Sequence, residues 1–432
     1  MDALYEKYCG CDYRVTTDSR AVQPGEMFFA LRGENFDGND YALAALQKGA
    51  AWAVVNADAD LPDAAGLIRV ADPMATLREL AIWHRTHVRG GELRVIGLTG
   101  TNGKTTTKNL IEAVLSRKYK VTATKGNLNN DIGVPLSLLS IRPDTEIAVI
   151  EMGANHPDDI AKLVTVSRPT YGLITNVGRA HLLGFGSFEG VKAAKGELYK
   201  WLGSHGGLIF LNEDDADLRE MAAKEPCHFF GYGIAYQGAE VLPAEADEPY
   251  LRIKLGDSLI RTHLIGAYNA NNVLAALAVG EYFGVARSEA IAAIEGFTPS
   301  NNRSQMVRTA SNSLIVDAYN ANPSSMQAAL DSFAQVVAPL KIAMLGDMRE
   351  LGAESLSEHE KVVRRLCAEG QKAFLVGEEF RKALDSTGLR TGGWFADSAA
   401  LAAFLKENPL DSAVILIKGS RGIQMEKILE YL

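Results

Sequence analysis

Cysteine is scarce in this 432-residue chain: Cys9, Cys11, Cys227 and Cys367 are the four present, and they show no metal-ligand spacing. Thiols scattered so widely do not resemble a secreted disulfide framework, so free thiols in a reducing compartment are expected. No run of about 18 apolar residues occurs, which argues against a membrane-spanning helix. The stretch Met1-Asp-Ala-Leu-Tyr-Glu-Lys7 has neither the basic start nor the apolar centre of a signal peptide, so the cytoplasm is the expected location. Lys/Arg-dense segments are missing too, and the formal charge of -9 argues against nucleic acid as the main partner. An anionic ligand must then be held by local loops and helix ends. Internal repeats and low-complexity tracts are also lacking.

Apolar residues are plentiful, at 47% of a chain longer than one core usually organises, so two or three domains are expected. Residues 1–88 form a first unit, with strands at Met27–Leu31 and Ala51–Val55 around a helix at Tyr41–Lys48 and a charged helix at Leu77–Val88. Gly90-Gly91 marks its end. In 89–298, apolar runs at Val95–Leu98, Ile147–Ile150, Leu173–Thr175 and Leu208–Leu211 alternate with helical segments. That alternation predicts a mostly parallel sheet covered on both faces. An antiparallel excursion is expected over 236–263 and a helix over Ala270–Tyr282. After the linker Thr298–Asn302, residues 299–432 repeat the pattern at Leu314–Val316, Ile342–Leu345, Phe374–Val376 and Val414–Ile417. This reads as a second doubly wound α/β unit, whose ligands bind beyond the carboxyl ends of the strands.

The most informative stretch is Val95-Ile-Gly-Leu-Thr-Gly-Thr-Asn-Gly-Lys-Thr-Thr-Thr107. A strand runs into a glycine-spaced turn, and Lys104-Thr105 opens a helix. Gly100 and Gly103 let backbone N–H groups point at an anion, Lys104 reaches the β/γ-phosphates, and the Thr105 hydroxyl suits Mg²⁺. ATP with Mg²⁺ is the expected ligand, although Leu98 stands where the strict phosphate-loop pattern has its first glycine.

Other groups cluster at strand ends. Glu151 follows Ile147–Ile150 and is read as a magnesium ligand beside that loop. His181, in Asn176-Val-Gly-Arg-Ala-His181, is a candidate for a second metal ion or a reacting oxygen, with a structural loop histidine as the alternative. Lys192 and Lys195 lie three apart on one helical face, and periodicity alone makes both surface lysines. The amide-rich loop Lys125-Gly-Asn127-Leu-Asn129-Asn130 reads either as turns or as a polar-ligand surface. Asp18, Ser19 and Arg20 suit a nucleotide base or diphosphate, or else a surface ion pair.

Taken together, Thr99–Thr105, Glu151, Asn176–His181, the Lys195 segment, Gly266-Ala-Tyr-Asn269-Ala-Asn-Asn272, Arg303 and Asp317 resemble the ATP-dependent Mur ligases, in order along the whole chain. The resemblance implies three α/β domains: a small N-terminal one for a UDP moiety, a central phosphate-loop ATPase and a C-terminal Rossmann-like one. It implies that Gly100, Thr101, Asn102, Gly103, Lys104, Thr105 and Thr106 hold phosphates, that Asn269 and Asn272 contact adenine, and that Asp317 contacts ribose and Arg303 the terminal phosphate. Thr105, Glu151, His181 and a carbamylated Lys195 would bind metal, and Lys104, Lys195, His181 and Arg303 would be catalytic. Asp18, Ser19 and Arg20 fall on the stretch associated with the uridine nucleotide, and Asn127, Asn129 and Asn130 on a loop facing a muramoyl-peptide.

Asp317–Met326, Leu345–Gly352 and Lys418–Glu426 are similar to the members that add a dipeptide, which brings in Tyr319, Asn320 and Asn322 as substrate contacts. The implied partners are UDP-N-acetylmuramoyl-tripeptide and D-alanyl-D-alanine, acted on by a monomer with no membrane insertion. Tyr268 stands where a histidine is common, and Asn39 where Asp-Gly-His is usual. The competing readings are a sister ligase adding one amino acid, a folylpolyglutamate synthase, or a nucleotide-switched binding protein. The Asp-Asn-Pro-Arg tetrapeptide expected of the diamino-acid-adding relative is absent.

Overall fold

The structure, a computed structural model, describes residues 1–244, 249–299 and 303–432. The linker read at Thr298–Asn302 therefore lies partly outside the described residues, at 300–302. The first sheet has four parallel strands in chain order, Val15–Thr16, Met27–Phe29, Trp52–Asn56 and Leu67–Val70. The helix Pro73–His87 starts where Asp72 accepts a hydrogen bond from the Met74 N–H and proline occupies the first turn, one turn before the Leu77 expected from periodicity. Leu77, Leu80 and Ala81 on this helix share one core with Val95, Ala148 and Ile150 of the central sheet.

The central sheet is parallel throughout. Its order is His228–Tyr232, Leu208–Asn212, Tyr171–Ile174, Arg94–Thr99, Ile147–Glu151, Val121–Ala123. Arg94–Thr99 thus lies at the point where successive strands turn from one side of it to the other, the position at which such sheets open a crevice. Leu98 pairs with Glu151 and Thr99 with Ile174. Register alone places the loop after Thr99, the Glu151 carboxylate and the 175–181 loop along one sheet edge. Helices Lys104–Leu115 and Ala270–Tyr282 pack on the face opposite the helix Phe188–Ser204. Ala239–Leu242, Tyr250–Leu255 and Ser258–Ile265 form the expected antiparallel excursion.

The last sheet is mixed: Gln305–Arg308 runs antiparallel to Ser313–Asp317, and Val414–Lys418, Lys341–Gly346, Ala373–Val376 and Gly393–Phe395 follow in parallel. Asp317 and Leu345 both pair with Lys418, so the polar strand ends gather on one edge. That edge faces the edge of the central sheet.

Candidate functional site

Between the two edges lies a cavity of about 410 Å³. Its walls come from the loop Thr101–Lys104 with Thr106, from Asn129, Glu151, Asn176 and His181, from Tyr268, Asn269 and Asn272, and from Arg303, Ser304, Asp317, Tyr319, Asn320, Asn322 and Lys418. Side chains far apart in the sequence converge because both sheets end there.

The loop is built for close approach. Gly100 has φ +146°, and a Cβ on it would lie 1.9 Å from the Thr175 hydroxyl oxygen. Gly103 has φ +78°, and a Cβ on it would lie 2.7 Å from Asn272 Oδ1, so neither position accommodates a side chain. The Asn102 N–H donates to Asn176 Oδ1 at 3.0 Å, and the Asn176 and Thr175 side chains donate back to the Asn102 carbonyl at 3.0 and 2.6 Å. Lys104 Nζ donates to the carbonyls of Gly100 and Thr101 at 2.7 and 3.1 Å, and burial lowers its pKa, with Arg303 adding to that effect and Glu151 opposing it. This ammonium holds the loop and faces the cavity.

Glu151 is buried, 1% exposed. Its carboxylate accepts from the Thr105 hydroxyl at 2.9 Å and from the Asn129 amide at 2.8 Å, and its own N–H donates to Thr124 Oγ1 at 3.0 Å. No ion pair reaches it among the described residues. A buried carboxylate served only by neutral donors is costly unless it coordinates a cation, so Thr105 and Glu151 fit a hard divalent ion. No group of three or more His, Cys, Asp or Glu capable of holding a metal occurs among the described residues.

Lys195 corrects the reading from periodicity. It is 2% exposed, not a surface lysine, because the face it shares with Lys192 turns inward. Lys192 is buried too, its Nζ donating to Asp217 and Glu220 at 2.8 and 3.0 Å. Lys195 has no hydrogen-bond or ion-pair partner among the described residues, and burial together with the nearby Lys104 charge pulls its pKa down to about 7. His181 sits at φ +51° with Nδ1 2.5 Å from Glu350 Oε2. Burial lowers its pKa, while Glu350 opposes the shift.

Asn269 and Asn272 form a ladder: Asn272 Nδ2 donates to Asn269 Oδ1 at 2.8 Å, Asn269 Nδ2 donates to the Ile265 carbonyl at 2.8 Å, and Thr107 Oγ1 donates to Asn272 Oδ1 at 3.0 Å. Tyr268 takes up the Ser304 hydroxyl at 2.8 Å, and the Ser304 N–H donates to Asp317 Oδ1 at 3.2 Å. Lys418, almost fully buried, donates to Asp317 Oδ2 at 2.5 Å and to the Asn320 carbonyl at 3.3 Å. Arg303 lies over the Tyr319 ring at 3.6 Å, and Asn322 Nδ2 donates to Asn102 Oδ1 at 2.9 Å, joining the two sheet edges.

Other expected contacts lie elsewhere. Gly100, Thr105 and Lys195 stand behind the cavity wall. Asn130 accepts from the Gly133 N–H at 2.8 Å at a helix start, and Asn127 contributes its carbonyl to the turn at Asn129. Asp18 and Arg20 form a two-bond pair at 2.9 Å in the N-terminal unit, which holds the Asp18 carboxyl down at about 2, and Lys48 Nζ donates to the Ser19 carbonyl at 2.9 Å. Asn39 is buried and exchanges hydrogen bonds with Asn56 at 2.9 Å in both directions. Ser304 was passed over in the sequence, and Asn176, Lys418 and Glu350, though inside quoted stretches, were given no role of their own. Of these, Lys418 carried a signal, a lysine closing an apolar strand.

Three family models match in chain order: "Mur ligase family, catalytic domain" over 13–83, "Mur ligase middle domain" over 98–280 and "Mur ligase, glutamate ligase domain" over 302–421. The chain is 36% identical over 431 residues to the UDP-N-acetylmuramoyl-tripeptide--D-alanyl-D-alanine ligase of Escherichia coli (strain K12), covering 97% of this chain and 93% of the relative. It superposes on the crystal structure of MurF from Acinetobacter baumannii with a TM-score of 0.84, at 31% identity and 96% and 92% coverage. On MurF ligase from Thermotoga maritima in complex with ADP the TM-score is 0.82, at 27% identity and 97% and 96% coverage.

Proposed function

This chain belongs to the Mur ligase family, and from that premise we propose that it joins D-alanyl-D-alanine to UDP-N-acetylmuramoyl-tripeptide at the expense of ATP, a step in building the peptidoglycan precursor. One observation carries the reading: the phosphate loop of the central sheet and the polar strand ends of the last sheet line a single cavity. A monomer suffices, since one chain supplies both walls. Cytoplasmic action follows from where nucleotide-linked precursors and ATP are met.

The N–H groups of Gly103–Thr106 and the Lys104 ammonium would hold the phosphates in the loop shaped by Gly100, Thr101 and Asn102, with Asn269 and Asn272 on the adenine side, Asp317 at the ribose and Arg303 at the terminal phosphate. Thr105 and Glu151, with His181 and a carbamylated Lys195, would hold Mg²⁺, which when bound neutralises phosphate charge. Asn129, Tyr319, Asn320 and Asn322 would meet the muramoyl-peptide or the dipeptide, and Asp18, Ser19 and Arg20 the uridine nucleotide. Asn127 and Asn130 shape the loop that carries Asn129.

A carboxylate and an amine do not condense in neutral water, because the carboxylate repels nucleophiles and has no good leaving group. A carboxylate oxygen of the tripeptide attacks the γ-phosphorus, the O–P bond forms, and the bond to the β-phosphate oxygen breaks to release ADP. Lys104 and Arg303 stabilise the charge spread over the transferring oxygens. The dipeptide amine then attacks the acyl phosphate, the C–N bond forms, phosphate leaves, and the nitrogen loses its extra proton. Apposition of the two sheet edges keeps water from the acyl phosphate.

Phosphate release and product mass, measured with ATP and each acceptor alone and together, test the proposal. Release is expected only with both acceptors, in step with a UDP-muramoyl-pentapeptide. Hydrolysis indifferent to both would point instead to a nucleotide-driven switch.

A further inference from the structure

Lys108 is a buried lysine that does not line the cavity. It lies one turn beyond Lys104 on the helix Lys104–Leu115 and is 4% exposed, although an ammonium without a counter-charge is costly to bury. Among the described residues no carboxylate pairs with it, and Glu151 and Glu112 act on it only at longer range. Its Nζ donates to the main-chain carbonyl of Thr124.

That bond ends a strand pairing. Val121–Ala123 is the edge strand of the central sheet, in parallel register with Ile147–Glu151, and just past it the Thr124 N–H still donates to the Val149 carbonyl at 3.0 Å. In a parallel ladder a residue that donates to one neighbour accepts from the residue two further on, so the next rung would run from the Glu151 N–H to the Thr124 carbonyl. Instead the Glu151 N–H donates to Thr124 Oγ1 at 3.0 Å, and the carbonyl turns to Lys108. The chain leaves the sheet here and loop 125–130 begins. It is caught again at Asn129, whose Nδ2 donates to Glu151 Oε1 at 2.8 Å and whose carbonyl accepts from the Gly153 N–H at 2.7 Å.

We propose that Lys108 is a positioning residue for the muramoyl-peptide: by drawing the Thr124 carbonyl out of the ladder it fixes where loop 125–130 leaves the sheet, and so where Asn129 stands in the cavity wall. The loop is thereby tied to the helix that starts at the phosphate loop. Without the ammonium, the Thr124 carbonyl is free to take the Glu151 N–H, the ladder gains a rung and the loop loses its first anchor. A substrate that must then order the loop as it binds is held less tightly. The inference rests on the reading of this loop as a contact for the muramoyl-peptide.

KM values for UDP-N-acetylmuramoyl-tripeptide, ATP and D-alanyl-D-alanine, with thermal unfolding beside them, are measured on the full chain for wild type, Lys108→Met, Lys108→Leu and Asn129→Ala. An apolar side chain in place of a buried charge is often neutral or stabilising, so the thermal midpoint of Lys108→Met is expected at or above that of wild type. Its KM for the UDP-tripeptide is expected to rise about ten-fold, the scale of one lost hydrogen bond to a charged group, with the other two KM values within about two-fold of wild type. Lys108→Leu repeats the measurement if the methionine variant does not fold, and failure of both to fold would make Lys108 a structural residue and overturn the proposal. A matching rise in all three KM values would overturn it as well. A wild-type KM for the UDP-tripeptide in the Lys108 variants, beside a raised one in Asn129→Ala, would overturn this proposal alone. Wild-type values in all of these variants would remove both it and the loop's substrate role on which it rests.

Discussion

Replacing Lys195 by alanine probes the least ordinary side chain in the molecule. Its amine is buried, has no hydrogen-bond or ion-pair partner among the described residues and lies near the Lys104 charge, and its pKa falls to about 7. At pH 8 such an amine is roughly nine-tenths neutral, whereas a lysine near its ordinary 10.5 is neutral in about three molecules per thousand. Burial thus enriches the CO₂-reactive form by roughly 300-fold. The neutral amine attacks CO₂, a C–N bond forms, a proton leaves, and a carboxylate oxygen pair arises on the lysine. Protonation below pH 6 blocks the addition, so carbamate formation is expected to climb as pH rises through about 7 and to level off above it. The assay is phosphate release coupled to pentapeptide formation, in CO₂-depleted buffer with and without added bicarbonate. Lys195→Ala is expected to lose about 10²–10³ in turnover, the scale for removing one electrostatic stabiliser, with partial recovery in millimolar acetate or formate. Wild-type activity indifferent to bicarbonate, together with a Lys195→Ala variant that turns over normally, would refute the reasoning.

Gly100→Ala puts a methyl carbon 1.9 Å from the Thr175 oxygen at φ +146°, so ATP binding by calorimetry is expected to weaken at least ten-fold while the UDP-substrate affinity holds. Asn39→Ala leaves Asn56 without its partner in a buried pair; thermal unfolding is expected to show a loss of about 1–3 kcal/mol with KM values unchanged. His84 is buried and neutral, accepting from the Tyr5 hydroxyl at 3.1 Å and donating to the Ile141 carbonyl at 2.9 Å, and burial lowers its pKa to about 4. Because the folded value lies below the unfolded value near 6.5, its contribution is complete above about 6.5 and is lost as pH falls toward 4. The full loss is up to about 3 kcal/mol, and a denaturant titration series over that window is expected to flatten in His84→Gln.

Apolar runs bounded by polar strand ends were legible wherever strands are buried on both faces, as at Val95–Leu98 and Val414–Ile417. Shorter edge strands such as Val15–Thr16, Val121–Ala123 and Gly393–Phe395 escaped, since two or three residues carry no period. In the site, Lys104, Thr105 and Glu151 could be read because glycine spacing and a strand end announce them. Lys195 could not, because helical periodicity tells which residues share a face but not what that face meets. The part Asn39 plays was hidden for a related reason, since its partner Asn56 lies seventeen residues away and the buried amide pair leaves no local pattern.

The most direct test follows oxygen. With ¹⁸O in both positions of the tripeptide's terminal carboxylate, ATP and D-alanyl-D-alanine, one labelled oxygen is expected in each phosphate released, with the other retained in the new amide. Unlabelled phosphate accompanying the amide product would contradict activation of the carboxylate by the phosphoryl group held at Lys104.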